Sequence, residues 1–481
     1  MFDQVVDEFK SKIENTKTNG EFYYAIVEFV AKFQDSHFSA NLPTDHRAFL
    51  GFFTDLVDGK VLIDTIKTEV LSKEKFNFVK GDEIISINDQ PVRELMNEIG
   101  KYISAGTKVN RERMSALYIT LRPGSMLPIP HTNINAKIKI RRGTSNIIEE
   151  VELPWILTGT PVDEYDFANK SLVNQKHYDL DMLSVKDIWQ NIYGNQLERT
   201  YFCSGDTRIA IPKDATIITK TPFVAYYHST EKGNIGYLRI PHYSPVNETT
   251  DAWEGELRFA QYEYAIRELE KNTVGLVIDQ DHNCGGSVDY LQSLLTLFID
   301  TPFKPTQFKF RANKVNYLSF SKYATEYSST VDGQSMKEIA ELIKDAWTKG
   351  EFMTGMTSFS SKELVYPNPR IRYTKPILML IDENSGSGGD AFPSMMQGLG
   401  RAKLFGTRTM GAGGHVKEIP SLNYSGIKVR MTQSLFFRPD GIEVENNGAE
   451  PDFPYTITRD DFIYEYKGYQ KTYLATLFEM I

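Results

Sequence analysis

The residues best suited to chemistry lie in the stretch KPILMLIDENSGSGGD, from Lys375 to Asp390. Ile377 to Ile381 is a short apolar run bounded by Pro376 and Asp382, the pattern of a strand buried on both faces. It breaks at once into Asn384-Ser385-Gly386-Ser387-Gly388-Gly389 and resumes as a helical segment from Ala391 to Leu399. Strand, tight glycine turn and helix is a setting that holds a serine hydroxyl up at the end of a sheet. The amide that follows the serine points the same way, and the helix N-terminus favours developing negative charge. Glycines on both sides of Ser387 permit a strained turn and the close approach of a substrate backbone. The same pattern suits an ordinary βα loop or a phosphate cradle, so the motif alone does not decide.

A second unit of the same kind precedes it. The apolar run Val274 to Asp279 reads as a buried strand and opens into Gln280-Asp281-His282-Asn283-Cys284-Gly285-Gly286-Ser287. A helix carrying Val288, Leu291, Leu294, Leu295 and Phe298 follows. Two such turns put two sets of backbone amides at one edge of a sheet. Around them the pattern predicts a strand over 235–240, a helix over 250–272 and a strand over 403–407, the last leading into Met410-Gly411-Ala412-Gly413-Gly414. Residues 301–375 read as an insertion near the site, a candidate lid, with one helix over 334–349 amid polar loops. The chain closes with GIEVENNGAEPD (441–452) and a tyrosine-rich amphipathic tail at 459–480.

The elements before this core are of other kinds. Phe2, Val5, Val6, Phe9 and Ile13 form one apolar stripe, and Phe22, Ile26, Phe29, Val30 and Phe33 another, with turn chemistry at Thr18-Asn19-Gly20 between them. This is a helical hairpin over 2–36 that leaves His37 at a helix end or in the loop beyond, where a lone histidine is ordinarily a cap or a surface residue. From about Arg47 the period becomes strand-like. Ala48–Asp55 and Lys60–Lys67 flank Asp58-Gly59, a two-residue hairpin signal. The run KGDEIISINDQPV, with a helix over 92–103 after it, resembles the PDZ signature, and PDZ domains bind peptide termini by strand addition. Leu50-Gly51-Phe52-Phe53 is the candidate carboxylate-binding loop. The organisation expected is a helical region at 1–44, a PDZ-like domain at 45–157, an insertion or linker at 158–220 and an α/β core at 221–481.

Composition excludes several classes. The 481 residues are 41% hydrophobic and 12% aromatic, enough for packed cores. The net charge of −9 includes no block of Lys and Arg, which argues against nucleic acid as a partner. No run approaches a membrane span. Cys203 and Cys284 make neither a metal spacing nor a disulfide framework. The N-terminal MFDQVVDEFK is charged and amphipathic, unlike a signal peptide. The compartment is therefore periplasmic or extracellular if a signal has been removed, and cytoplasmic otherwise.

The blocks GLVIDQDHNCGGSVDY and PILMLIDENSGSGGDAFPSMMQGLGRAKLFGTRTMGAGG resemble the tail-specific and tricorn-type serine peptidases. With IGYLRI, KGDEIISINDQPV and NNGAEPD, five motifs occur in the order of that family. The resemblance implies an α/β fold: a ClpP/crotonase-like core of ββα units, with the N-terminal helical hairpin and an inserted PDZ-like β-rich domain. It places the nucleophile at Ser387, with Ser385 as competitor. Many members activate the serine with a lysine in the glycine turn after the next strand, and here Ala412 stands in that position. A hydroxyl near its free pKa is a poor nucleophile without a base. The branch containing tricorn protease and the chlamydial protease-like activity factor uses instead a histidine from the N-terminal helical region and a glutamate near the C-terminal end, which His37 and Glu445 match. Cys284 departs from the glycine common at its position.

On that resemblance the chain is expected to be a serine endopeptidase working through an acyl-enzyme with a Ser387–His37–Glu445 triad. The oxyanion hole is expected from the Gly388 amide and one amide of Gly285–Gly286. His282 and His415 are the reserve bases, no metal or cofactor is needed, and the partner is a protein or peptide substrate. Homodimerisation is left open. The rival readings are a catalytically inactive peptide- or ligand-binding protein on the same scaffold and, more distantly, acyl-CoA chemistry on a crotonase-like core.

Overall fold

The structure is a computed structural model that describes residues 2–130, 135–143, 145–166, 171–172, 207–244, 252–328, 331–360, 362–419, 422 and 425–481. The chain divides into two compact units, Met1–Met182 with Lys417–Met431 and Ile457–Tyr464, and Leu183–Val416 with Thr432–Thr456 and Glu465–Ile481. Much of the insertion read over 158–220 lies outside the described residues. Among the described residues no helix is long and apolar enough to cross a membrane.

The first unit opens with the helical hairpin, Phe2–Glu14 and Asn19–Ala31. Thr18 caps the second helix by accepting from the Glu21 amide. That helix buries Tyr23, Val27 and Val30 against Ala40, Leu42, Val162 and Ile427. The β-rich part has a sheet in the order Phe52–Val57, Lys60–Ile66, Glu83–Ile87, Ala136–Arg141, Ile148–Leu153, and a smaller sheet of Ile156–Thr158, Arg47–Phe49 and Leu121–Pro123. Asp58 and Gly59 both take positive φ, 50° and 68°, as a two-residue hairpin turn demands. Asn88 and Asp89 do the same at 51° and 61°. The single strand expected over 48–55 is instead two, broken at Leu50-Gly51, where Gly51 has φ 86°. The Leu50 amide donates to Thr120 O at 3.0 Å, so this donor of the candidate carboxylate loop is already used.

The second unit is built on a seven-stranded sheet in the order Thr216–Thr219, Ala225–Thr230, Gly233–Arg239, Gly275–Asp279, Ile377–Ile381, Lys403–Gly406, Phe453–Pro454. The first three are antiparallel, and from Gly233–Arg239 onward every pairing is parallel. Parallel strands need helical crossovers, which Ala252–Asn272, Val288–Leu295 and Gly388–Gly398 supply. The fully apolar Ile377–Ile381 is buried at every residue, and Tyr262, Ala265, Ile266 and Leu269 pack in the same core.

Two elements depart from the sequence reading. The region 301–375 holds two helices, Lys314–Glu326 and Val331–Thr348, where one was expected. The first shows no apolar stripe because Val315 and Leu318 face solvent and only Asn316 and Phe320 are buried. The strand Lys428–Phe437 was not marked; its start pairs with Ser39–Asn41 and its end with Gln307–Phe310.

In the first unit, Arg113 Nε and Nη2 donate to Asp55 Oδ1 and Oδ2 at 2.8 and 3.0 Å, with both side chains buried. Removing one partner of a buried pair strands the other charge and costs about 3–5 kcal/mol. Arg113→Met is therefore expected to lower stability by that amount in urea unfolding of the full chain. A loss under about 1 kcal/mol would show that Asp55 is compensated elsewhere.

Candidate active site

Ser387 follows directly on the buried strand Ile377–Ile381 and its loop, and caps the helix Gly388–Gly398. Its backbone sits at φ 58°, ψ −112°, a region disfavoured for a residue with a Cβ and typical of a nucleophile turn. Ser387 is half-buried, whereas Ser385 is wholly enclosed. The Ser385 hydroxyl is hydrogen-bonded to Gln280 O and Asp382 Oδ1, both at 2.8 Å. Of the two serines, Ser387 has the accessible hydroxyl and Ser385 a structural one.

The two glycine turns expected at one sheet edge do meet. A Cβ built on Gly285 would fall 2.6 Å from Ser387 Cβ and 2.7 Å from Gly388 N, so only glycine admits this approach. Gly386 N donates to Asn283 O at 2.9 Å. Pro393 lies inside the helix. Lacking an N–H, it leaves the carbonyl four residues back, Gly389 O, without its helical donor. Gln280 Nε2 supplies one at 2.8 Å, and Tyr243 OH donates to Gln280 Oε1 at 2.8 Å. Gly285 N is taken by Asn283 Oδ1 at 2.8 Å. Among the described residues, Gly286 N and Gly388 N have no acceptor.

Glu445 is buried and its Oε2 accepts from Gly413 N at 2.8 Å. The adjoining Asn446 N donates to Gly411 O at 2.9 Å. The 410–414 turn thus joins Glu445 to the Ser387 turn, whose Ser385 O accepts from Met410 N. His37 belongs to the first unit and is buried there. Asp35 Oδ1 accepts from His37 N and Phe38 N at 2.8 and 3.2 Å, which fixes the loop leaving the second helix.

"Peptidase family S41" describes residues 234–455 and "PDZ domain" residues 46–164. A protein of Chlamydia trachomatis serovar D is 31% identical over 444 residues, 81% of this chain and 73% of that relative. The chain belongs to peptidase family S41. It is a serine peptidase, and its substrates are peptides or proteins. A probable CtpA-like serine protease of Staphylococcus epidermidis is 21% identical over 387 residues, 80% of this chain and 63% of that one. The crystal structure of mature CPAF shares the fold, with TM-score 0.80 and 23% identity over 99% of this chain and 93% of that one.

This S41 site lacks a lysine at the third turn. Ala412 is buried there, and its amide donates to Asp390 Oδ2 at 2.9 Å. The reserve bases are otherwise engaged. His282 Nε2 lies 2.9 Å from Asp382 Oδ2, and its backbone amide donates to Asp382 Oδ1. His415 Nδ1 is 2.7 Å from Gln433 Nε2, and burial pushes the imidazole pKa down to about 4. Cys284 is disulfide-bonded, which corrects the expectation of no disulfide framework; sequence separation carries no information on spatial approach, and Cys203 lies outside the described residues.

Sequence reasoning missed Asp390. It is fully buried and accepts from Ser387 N, Gly411 N, Ala412 N and the Thr409 hydroxyl. Its one sequence signal is an acid in the first turn of the helix after Ser387. Burial raises its pKa from 3.8 to about 6, against the pull of those donors. Between about pH 4 and 6 the unfolded chain has lost this proton and the folded chain keeps it, so stability falls as pH rises through that window. Asp390→Asn is expected to flatten that fall. It also turns one acceptor into a donor facing N–H groups, and misplacement of the turn by about 1 Å lowers kcat about a hundredfold. An unchanged kcat at pH 8 together with an unchanged pH–stability curve would refute the positioning role.

Proposed function

We propose that this S41 peptidase is an endopeptidase that cleaves through an acyl-enzyme with Ser387, His37 and Glu445 as its triad. The observation that carries the proposal is the Ser387 turn, where a half-buried serine on a strained backbone lies in the same glycine-turn site as two amides without an acceptor among the described residues, and has no lysine at Ala412. Ser387 Oγ attacks the scissile carbonyl carbon while His37 takes the hydroxyl proton. The C–N bond then breaks as His37 returns that proton to the leaving amine. Water, activated by the same imidazole, cleaves the acyl ester. Glu445 orients the ring and stabilises the imidazolium. The Gly388 amide, at the first position of its helix, and the Gly286 amide receive the oxyanion. Gly285, expected as an alternative donor, serves by its lack of a side chain, since its own amide is held by Asn283.

Support for His37 as base is indirect: the competing imidazoles of the second unit are committed to Asp382 and Gln433, and the family resemblance assigns the histidine to the N-terminal helical region. Labelling with a fluorophosphonate probe, with casein cleavage in parallel, tests the assignment. Ser387→Ala and His37→Ala are expected to abolish labelling and turnover, and Glu445→Gln to lower kcat about 10⁴-fold by analogy with the triad acid. Ser385→Ala is expected to keep its labelling. Full activity of His37→Ala would sink the triad while leaving the family assignment standing.

A further inference from the structure

A PDZ domain takes a chain end by strand addition, which needs free backbone groups along a sheet edge and free amides at the loop that receives the carboxylate. The first unit has such an edge, since Phe52–Val57 ends its sheet, and the candidate loop Leu50-Gly51-Phe52-Phe53 leads into it. Groups of the same chain hold both. We propose that this PDZ domain is closed by its own chain, with Thr120 O in the place of a terminal carboxylate and an Arg113–Asp55 fork across the strand edge, so that the peptidase selects internal segments without reading chain ends. The inference deepens the endopeptidase reading above and rests on it for the cleavage assay alone.

The edge comes first. Val57 pairs with Lys60 across the Asp58-Gly59 turn, and Asp55 pairs with Leu62. In a two-residue hairpin these are the pairs that exchange hydrogen bonds, so the backbone groups of Thr54 and Leu56 point to the open edge. The Leu56 amide is already taken, because it donates to Asp55 Oδ1 at 2.8 Å. That carboxylate is gripped in turn by Arg113 Nε and Nη2, from the helix Lys108–Leu117. The same helix accepts from the strand near its end, where Thr54 Oγ1 donates to Ala116 O at 2.6 Å. Thr54, Asp55, Arg113 and Ala116 are all buried. Helix and edge strand are thus joined directly at two adjacent residues of the strand. A peptide inserted between them must part both joints and leave two buried charges without partners.

The loop is held in the same manner. Leu50 N donates to Thr120 O at 3.0 Å, and both residues are wholly enclosed. From there the chain runs on as Leu121–Pro123, antiparallel to Arg47–Phe49 with Leu121 opposite Phe49. The segment after the helix therefore supplies a carbonyl at the loop and a strand leading away from it. Gly51 is packed as well: a Cβ built on it would fall 2.8 Å from Leu71 Cγ and Cδ1, and Leu71 is buried. Gly51 O accepts from Lys67 N at 2.9 Å. A carboxylate reaching the Leu50 amide would have to displace Thr120 O and give up its own water to do so.

Two internally quenched peptides of one sequence, one ending in a free carboxylate after apolar residues and the other amidated, test this on the full chain. Wild type is expected to cleave both with equal kcat/KM. A domain that reads tails would favour the free acid by about tenfold or more, the worth of hydrogen bonds to a charged group. The Ser387→Ala protein, which leaves peptides intact, is expected to bind a fluorescein-labelled free-acid peptide no better than its amidated twin. Hydrogen exchange followed by mass spectrometry reads the edge itself. Residues 50–57 are expected to be protected in the free Ser387→Ala protein and unchanged by the free-acid peptide. Asp55→Leu combined with Arg113→Met replaces the buried pair with apolar side chains and is expected to speed exchange over 50–57 by releasing the Leu56 amide. A free-acid preference in cleavage or binding, protection gained on adding the peptide, or exchange unmoved in the double variant would each overturn the closure. Cleavage of neither peptide by wild type would overturn instead the peptidase reading, and the binding and exchange results would still decide the edge.

Discussion

One buried carboxylate organises the catalytic edge of the second unit. Asp390 gathers donors from the Ser387 amide, from the Thr409 hydroxyl and from two successive amides of the 410–414 turn. A peptide amide in the interior must find an acceptor, and three that point at one place need an acceptor with several lone pairs. A carboxylate is the one side chain that meets this demand. Glu445 is anchored on the next amide of the same turn, Gly413. The Ser387 turn and Glu445 are thus hung on a single point, and a shift of that point moves both together.

The main frame was readable because the physics that builds it is local. Fully apolar five-residue runs ending in glycine turns mark central parallel strands, and Gly275–Asp279 and Ile377–Ile381 lie where that pattern puts them. Asp58-Gly59 announced its own hairpin through the φ values it adopts. The helix Lys314–Glu326 escaped notice for an equally physical reason: it buries only two residues, so periodicity has nothing to report. The strand Lys428–Phe437 mixes Lys, Arg and Gln with its apolar residues and draws its order from pairing with segments distant in sequence, which no local pattern records.

The site was legible to a similar depth. Ser387 and the flanking glycines stand out by spacing, the family resemblance put Ser387 ahead of Ser385, and burial adds that Ser385 is wholly enclosed. His37 and Glu445 were reached through family resemblance; neither carries a local signal. Gln280 and Asp390 act through bonds that close only after the sheet has formed. Ala412 stands where many members carry a lysine, and the structure adds what that small side chain accompanies, an open slot with a largely apolar lining next to Ser387.

Pro393 inverts an ordinary expectation about helices. A proline in a helix interior is usually a defect, and replacing it with alanine restores a backbone bond. Here the vacancy it creates at Gly389 O is occupied by Gln280, which reaches across from the other glycine turn. An alanine at 393 would bring an N–H to the same carbonyl and compete with that side chain. The helix would gain a bond of its own while its tether to the neighbouring turn weakened. An imperfection within one element is in this way the fastening between two, and a sequence made more regular at this position would give a better helix and a looser enzyme.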